Sequence, residues 1–442
     1  MINLKDCESI VIGSHQQPEA VIAAIGELAR QFESNSVDVV SLHSYRKRDC
    51  GEVPISYEIL SCATMQGRTV VDNCRVEASH YIGRYANGKV AISVEPRYGA
   101  DVVNYIVGYA ANVYIPSGTA PASLDSPAGS DWQIALLWKA MLEKALVNAQ
   151  IPKQYKRVTK NQRYFRGRLN VARHLRANMF DSSRIYCTYD KLSMDNTINR
   201  TVRAVYKTLI AKGLSSVVGE FDEYDKRLAA FGVIDDVEVD DLQNVNYTRL
   251  TEAYKPLMKI SAIILKHRNV SDSESGGDSF SYFIDMAELW EMYLLKVLQR
   301  HLQDDYVIYS PNETSGDYLL DGAMREVRPD ILVEKDGQVV AIIDAKYKGR
   351  YRQFGGTSSE GVSREDLYQM TAYLYHYSSP DSKVVGIFTA PVSCPDNDVH
   401  RLSHNPNHAI GLVNLNIDGK TIAEIRAEEE KYVQKIKAAI NM

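Results

Sequence analysis

Two short apolar segments joined by a turn constrain the fold of this chain more than any other feature. Residues 331–333 and 339–343 are mostly β-branched and apolar, which is typical of strands, and an Asp-Gly pair between them favours a hairpin turn. The hairpin would bring Asp330, at the start of the first strand, close to Asp344, at the end of the second. Because residues 339–343 are all apolar, we expect a strand buried on both faces, with Asp344 where the burial ends.

The polar residues around this hairpin predict a metal-dependent phosphodiesterase site. Asp344 and Lys346 are two residues apart on the second strand, so their side chains point to the same face. Two carboxylates in one place repel each other unless a cation joins them, and oxygen ligands favour Mg²⁺ with several waters retained. Lys346 would orient or deprotonate the attacking water, or neutralise charge that develops on the phosphate. The alternative is a turn aspartate beside a surface ion pair, which the long apolar run disfavours.

The order of these residues resembles the PD-(D/E)xK nuclease superfamily. Pro329-Asp330 is followed by Asp344-Ala345-Lys346 and then by Gln369 and Tyr373, and this series matches the QxxxY variant of the superfamily. More narrowly, the chain resembles the McrC family, the nuclease subunits of the McrBC methylation-dependent restriction systems. The resemblance runs from roughly residue 100 to the end of the chain, and its ordered blocks make it more specific than the nuclease motif alone. Further matching blocks lie at residues 104–110, 165–169, 192–195, 198–200, 286–293 and 366–375.

The resemblance implies a metal site and a catalytic lysine. Asp330 and Asp344 would be metal carboxylates, and Lys346 would be the catalytic lysine. Glu291 matches the acidic residue of the helix before the core, which in the superfamily often adds a contact to the metal or to water. Glu288 lies one helical turn earlier on nearly the same face and is a second candidate. A solvated helix position is the alternative for Glu291.

The resemblance also implies two supporting residues on the following helix. Gln369 and Tyr373 are four residues apart, which places both on one face of that helix. Ordinary helix packing is the alternative for both residues.

A McrC-like chain would be a Mg²⁺-dependent DNA endonuclease subunit. It would dock on a hexamer of the McrB-like AAA+ GTPase, stimulate GTP hydrolysis and cut double-stranded, modified DNA after translocation. This chain has no GxxxxGK(S/T) loop, so we expect it to bind no nucleotide itself. Two alternatives remain open: a nuclease of the same superfamily that acts without a GTPase, and a scaffold subunit that keeps the fold without cutting.

A basic stretch is the best local candidate for contact with phosphate. Residues 153–184 carry ten lysines and arginines against one acid, with aromatic residues interleaved. A solvated face and a surface for an acidic protein partner are the alternatives, and contact with DNA and contact with a partner carry equal weight. The candidate DNA contacts, including two arginines in a later Gly- and Ser-rich loop, are Arg166, Arg168, Arg173, Arg350 and Arg352.

The overall composition restricts the class of protein. A net charge of −5 and a pI of about 6.1 exclude a globally basic DNA-coating protein, so DNA contact must come from local patches. Six scattered cysteines without CxxC spacing indicate reduced thiols and no zinc site. The chain has no signal peptide and no apolar run of membrane-spanning length, so we expect a cytoplasmic protein without membrane contact.

The chain of 442 residues divides at two loop-like stretches, residues 116–130 and 270–279, which are rich in Ser, Gly and Pro or Asp. We therefore expect a β-rich N-terminal module at residues 1–118 that contacts a partner. A mainly helical, basic middle region at residues 119–275 would contact the partner or DNA. A C-terminal nuclease domain would occupy residues 276–442.

The predicted fold is multidomain α+β with an α/β PD-(D/E)xK core at its C-terminus. Within that core, residue patterns predict helices at 283–303, 363–377 and 421–440, and strands at 383–388 and 410–416. Helices would flank a mixed sheet.

Overall fold

The computed structural model shows a mixed α/β protein with several sheets, in agreement with the general fold class predicted from the sequence. The chain forms two compact units, Met1–Gln133 with Glu274–Met442, and Ile134–Ser273. The first unit therefore contains residues from both the predicted N-terminal module and the predicted nuclease domain, and the three-part division remains a prediction. The structure describes residues 2–13, 39–40, 60–66, 71–86, 91–110, 127–148, 150–266, 282–311, 317–320, 324–347, 362–379, 381–393 and 398–441.

The strands follow in chain order. They are β1 (Ile2–Lys5), β2 (Ser9–Gly13), β3 (Val39–Val40), β4 (Leu60–Gln66), β5 (Val71–Ala78), β6 (Tyr81–Ala86), β7 (Ala91–Glu95), β8 (Gln154–Gln162), β9 (Arg168–Leu169), β10 (Ile185–Ser193), β11 (Tyr282–Asp285), β12 (Val307–Tyr309), β13 (Asp317–Leu320), β14 (Met324–Val327), β15 (Ile331–Lys335), β16 (Gln338–Ala345), β17 (Val384–Thr389), β18 (Asp398–Leu402) and β19 (Asn405–Leu412).

The α-helices are likewise numbered in chain order. They are α1 (Ala100–Ala110), α2 (Pro127–Asn148), α3 (Val171–Asn178), α4 (Thr197–Ala211), α5 (Ser215–Val218), α6 (Asp222–Ala230), α7 (Val239–Gln243), α8 (Lys255–Lys266), α9 (Met286–Leu302), α10 (Arg364–Tyr377) and α11 (Ile422–Ile440).

A sheet of strand order β1-β7-β6-β11-β3 joins the N-terminal residues to the segment at residues 282–285 of the first unit. Strand β11 pairs antiparallel with β6 and leads directly into α9. This corrects the predicted helix at residues 283–303, because its first residues continue the sheet and the helix begins only at Met286. The Asp285 side chain ends the strand by accepting hydrogen bonds from the N–H groups of Ala287 (3.0 Å) and Glu288 (3.1 Å).

The close pairing of β6 with β11 requires glycine at position 83. Gly83 has φ of +150°, and a Cβ atom on it would lie 2.1 Å from the carbonyl oxygen of Tyr282. Only a residue without a side chain lets the two backbones approach this closely.

The second large sheet of the first unit has the order β12-β15-β16-β17-β19-β18. The predicted hairpin is confirmed: β15 pairs antiparallel with β16, and Asp336 and Gly337 both have positive φ in the turn. Strands β17 and β19 then add in parallel to β16. The last part of the predicted apolar run is buried on both faces, since Ala341, Ile342 and Ile343 are each 0% exposed.

Helix α10 covers one face of this sheet. Its buried residues Met370 and Leu374 pack in one cluster with Ile342 and Phe388 of the strands below. The predicted helices at 363–377 and 421–440 are confirmed to within one residue, and Ser363 and Thr421 are their N-caps. The predicted strand at 383–388 corresponds to β17, whereas the one at 410–416 overlaps only the end of β19.

The second unit contains most of α2, helices α3 to α8 and a three-stranded antiparallel sheet, β8-β10-β9. The sequence does not predict this sheet, whose strands β8 and β9 carry four of the ten lysines and arginines of the basic stretch. Strand β8 contains no fully buried residue and pairs with β10 along its whole length. A strand exposed in this way has no clear apolar alternation, so hydrophobic patterning gives little signal for it.

Candidate active site

The hairpin brings the predicted metal carboxylates together at one end of the central sheet. Ile331 of β15 lies opposite Ile343 of β16, so Asp330 stands beside the last residues of β16. The N–H of Ala345 donates a hydrogen bond of 2.7 Å to Asp330 Oδ2. The site therefore lies at the carboxyl ends of the parallel strands β16 and β17, where open α/β sheets commonly bind ligands.

Lys346 contacts Asp344, as its position on the same strand face predicts. Its Nζ atom lies 2.8 Å from Asp344 Oδ2, and the Asp344 side chain is almost completely buried. The backbone N–H of Lys346 donates to the carbonyl of Thr389 at the end of β17 (2.8 Å). This bond fixes the lysine to the neighbouring strand just beyond the end of β16.

A residue that sequence reasoning missed completes this group. Asp366, in the first turn of α10, has its Oδ1 atom 2.8 Å from Lys346 Nζ. The Ser363 hydroxyl donates to Asp366 Oδ2 (2.8 Å) and accepts from the Asp366 N–H (3.1 Å), which holds the carboxylate in place. We call Asp330, Asp344, Lys346 and Asp366 the acid–lysine cluster.

The two carboxylates keep Lys346 charged. Burial alone would lower the pKa of its ammonium group, but the adjacent Asp344 and Asp366 carboxylates outweigh burial and raise this pKa above its usual range. The lysine is therefore cationic at neutral pH and presents N–H donors rather than a basic lone pair.

Glu291 lies within electrostatic reach of the cluster. Burial raises the pKa of Asp330 well above its ordinary value, and the nearby Glu291 and Asp344 carboxylates raise it further. Glu291 is half-buried on α9, whereas Glu288 is buried in the first turn of the same helix. The carboxylates thus repel one another at this end of the sheet, as the sequence predicts for a cation site.

Gln369 and Tyr373 are joined on α10 as their spacing predicts. Gln369 Nε2 donates to the Tyr373 hydroxyl (2.6 Å), which in turn donates to the carbonyl of Arg328 (3.0 Å). The pair therefore anchors the backbone two residues before Asp330.

The donor chemistry at this site fits Mg²⁺. Asp344 Oδ2 is a buried oxygen with the Lys346 ammonium nearby but no hydrogen bond of good geometry. Within the described ranges, no group of three or more His, Cys, Asp and Glu side chains is arranged to hold a metal. Mg²⁺ in phosphate-processing sites usually takes only one or two carboxylates together with waters and substrate phosphate, which Asp330 and Asp344 can supply.

The candidate DNA contacts fall into two groups. Arg166, Arg168 and Arg173 are exposed in the second unit, and Arg166 stacks on the ring of Tyr189 at 4.4 Å. Arg350 and Arg352 lie outside the described residues.

Large apolar side chains close in sequence to these arginines are exposed as well. Phe180 is 98% exposed, and Phe165 and Met179 are also exposed on the same part of the second unit. The surface therefore offers both charge and apolar area.

Asp195, Asn199 and Arg200 of the middle region make structural hydrogen bonds. Asp195 accepts hydrogen bonds from Arg200 Nε (2.6 Å) and Lys156 Nζ (2.6 Å). Asn199 is fully buried and donates to the carbonyls of Pro152 (2.9 Å) and Met194 (2.7 Å).

Within the part of the chain that the structure describes, no helix combines the length and the apolar character needed to cross a membrane.

Comparison with known proteins places the chain in a family. It matches the McrBC 5-methylcytosine restriction system component family over residues 76–388, which confirms the resemblance drawn from the motifs. No curated protein matches the chain.

Two solved structures are similar to the chain. A half-complex from a tetradecameric assembly of Thermococcus gammatolerans McrB AAA+ hexamers with bound McrC matches with a TM-score of 0.52 and 16% identity, over 99% of each chain. At this identity the likeness concerns the fold. A cryo-EM structure of the Thermococcus gammatolerans McrBC complex has a TM-score of 0.36 and 16% identity, over 68% of this chain and 88% of that chain. Since residues 76–388 make up well over half of the chain and contain the entire acid–lysine cluster, the protein belongs to the family of McrBC 5-methylcytosine restriction system components.

Proposed function

We propose that this chain is the Mg²⁺-dependent DNA endonuclease subunit of a McrBC-like, modification-dependent restriction complex. The observation that carries the proposal is the acid–lysine cluster at the carboxyl ends of β16 and β17, with Glu291 within electrostatic reach. Paired carboxylates beside a fixed lysine are suited to hydrolysis of a phosphodiester. Family membership and the fold likeness to a McrC chain support the same assignment.

In this proposal Asp330 and Asp344 hold the metal, and Glu291 adds a contact to the metal or to its water. When bound, Mg²⁺ supplies polarisation of the phosphate and activation of water. The hydrogen bond from Ala345 to Asp330 and the anchoring of Arg328 by Tyr373 hold the first carboxylate in place.

Lys346 stabilises charge rather than removing a proton. Its ammonium group lies between Asp344 and Asp366 at 2.8 Å from each, which keeps it protonated and oriented. As DNA enters, the lysine donates a hydrogen bond to a phosphate oxygen on which negative charge increases in the transition state. Asp366 orients the lysine from α10 without contacting the phosphate.

The partner in this proposal is a McrB-like AAA+ GTPase hexamer, on which the chain docks and whose GTP hydrolysis it stimulates. The similar McrC chain is bound to McrB AAA+ hexamers in its own structure. The chain itself has no GxxxxGK(S/T) loop, so nucleotide hydrolysis belongs to the partner. The exposed arginines Arg166, Arg168 and Arg173 serve either the DNA backbone or this partner, and Arg350 and Arg352 are proposed as further phosphate contacts.

The test is plasmid cleavage with Mg²⁺, using methylated and unmethylated DNA. Each reaction is run with and without a McrB-like AAA+ GTPase and GTP. Lys346→Ala is compared with Lys335→Ala, which removes an exposed lysine at the opposite end of the same hairpin. We expect cleavage that requires the GTPase, GTP and Lys346 but tolerates loss of Lys335.

Other results of this experiment separate the alternatives. Lys346-dependent cleavage by the chain alone would identify a nuclease that acts without a GTPase. Stimulation of the GTPase without cleavage of either DNA would identify a scaffold subunit and contradict the proposed nuclease activity.

A further inference from the structure

Residues from the N-terminus of the chain contact the segment that carries Lys346. Asp6 follows β1 and Arg97 follows β7, which pairs in parallel with β1. The Asp6 carboxylate is 1% exposed and accepts hydrogen bonds from the Tyr347 hydroxyl (2.8 Å) and from the Arg97 N–H (2.6 Å). Tyr347 is the residue immediately after Lys346, so the N-terminal sheet is bonded to the active-site segment.

The side chain of Arg97 holds Tyr347 in two further ways. Its guanidinium group donates to the Tyr347 carbonyl and lies 4.6 Å above the centre of the Tyr347 ring. Tyr98 also contacts this guanidinium group, with its ring centre 4.8 Å from the guanidinium carbon and 6.1 Å from the centre of the Tyr347 ring. Tyr347 is 2% exposed and is therefore fixed by its hydroxyl, its ring and its carbonyl.

These contacts lie just beyond the last residue of β16 that pairs with neighbouring strands. Strand β16 ends at Ala345, so Lys346 and Tyr347 lie beyond it. The Lys346 N–H donates to Thr389, and the following residue is fixed by Asp6 and Arg97. Since peptide units are planar, two fixed neighbouring peptides leave the Lys346 backbone little freedom.

The buried group of Asp6, Arg97 and Tyr347 would be an unfavourable choice if fold stability were its only role. Burial raises the pKa of Asp6 despite the nearby Arg97 charge, which shows that its carboxylate is held in an unfavourable environment. Buried ion pairs often contribute less stability than apolar packing of the same volume, but they fix geometry.

We infer that Asp6 and Arg97 are positioning residues for Lys346: through Tyr347 they hold the lysine where it meets the phosphate. This inference rests on the proposed nuclease function. It extends the active-site framework to Asp6, which lies before the start of the family match at residue 76.

The test compares Tyr347→Phe with Tyr98→Phe in the full complex with the GTPase, GTP and Mg²⁺. The first variant removes the hydroxyl bonded to Asp6, and the second removes a hydroxyl from the same aromatic stack. Initial cleavage rates are measured over a range of DNA concentrations. We expect Tyr347→Phe to lower kcat about tenfold or more with KM and GTPase stimulation unchanged, and Tyr98→Phe to behave like wild type. A wild-type kcat for Tyr347→Phe, or an equal loss in both variants, would overturn the inference.

A second measurement separates this inference from the proposed function. Amide hydrogen exchange of the peptide that contains Ala345 and Lys346 is compared among the same proteins without DNA. We expect faster exchange in Tyr347→Phe only. If the wild-type complex cuts no DNA, the proposed function fails, and unchanged exchange in Tyr347→Phe would overturn the positioning role separately. If Tyr347→Phe does not fold, Asp6→Asn, which keeps the side-chain shape, replaces it in both measurements with the same expected results.

Discussion

At the scale of single residues, two carboxylates, Asp344 and Asp366, hold the Lys346 ammonium group in place. The sequence identified Asp344, because residues two apart on a strand share a face. It did not identify Asp366, because the contact depends on how α10 packs over the sheet. Ser363 and Asp366 have the spacing of a helix N-cap and its N3 residue, so locally they indicate only the start of a helix.

The role of Asp366 can be tested with a matched pair of variants. Asp366→Asn leaves Lys346 with one charged partner, so we expect the cleavage rate at saturating DNA to fall roughly tenfold to hundredfold. Glu365→Gln alters an exposed carboxylate on the same helical turn and should leave the rate unchanged. Equal rates for Asp366→Asn and wild type would show that the ion pair with Asp344 is sufficient.

At the scale of helices and strands, local patterns predicted what lies within one element and missed what joins distant ones. The β15–β16 hairpin and the caps of α10 and α11 follow from short sequence signals. Strand β11 was predicted as helix because its apolar residues continue the helical pattern of α9. Its pairing with β6 and β3, some two hundred residues or more away in the chain, selects the strand. The exposed strand β8 gave no periodic signal.

The pairing of β6 with β11 predicts a strong effect of Gly83→Ala. The added Cβ would meet the Tyr282 carbonyl, so the strands must separate, and we expect a loss of about 3 kcal/mol or more in the free energy of unfolding. Gly99→Ala is the control, because Gly99 has φ of +87° but no atom within 4 Å of a new Cβ, and strain alone should cost about 1–2 kcal/mol. Urea unfolding of the full chain measures both variants. Similar losses would contradict the close approach of the two strands.

The ion pairs of Asp195, which join the end of β10 to α4, predict an acid sensitivity of the second unit. Hydrogen bonds from Arg200, followed by those from Lys156, hold the pKa of Asp195 below its ordinary value of 3.8. A lowered folded-state pKa stabilises the fold above the ordinary value, and this stability is lost as the pH falls below about 3.8. Asp195→Asn should therefore lower the free energy of unfolding by about 1–2 kcal/mol at pH 7. The variant should also lose less of that free energy than wild type as the pH falls through the acidic range. The free energy of unfolding is measured by urea titration at a series of acidic pH values. The same pH dependence in the variant and in wild type would contradict this role.

At the scale of the whole molecule, the chain uses residues from its beginning to build the framework of a site near its end. The motifs predicted the family and the core residues because they are local and ordered along the chain. They could not show that Asp6, Arg97 and β6 belong to the same compact unit as the sheet that carries the acid–lysine cluster. Contacts between residues hundreds of positions apart leave no periodic trace in one sequence, so the motifs could not predict them.

The most direct test of the central claim is the cleavage rate of Asp344→Asn beside Asp336→Asn in the complex with the GTPase, GTP and Mg²⁺. Both substitutions remove one carboxylate from the same hairpin, and Asp336 lies in the turn at positive φ, which asparagine tolerates. If Asp344 holds the metal, its substitution should lower cleavage about a hundredfold or more while DNA binding and GTPase stimulation persist. Asp336→Asn should cut like wild type. Cleavage by Asp344→Asn at the wild-type rate would contradict the assignment of the acid–lysine cluster as the active site.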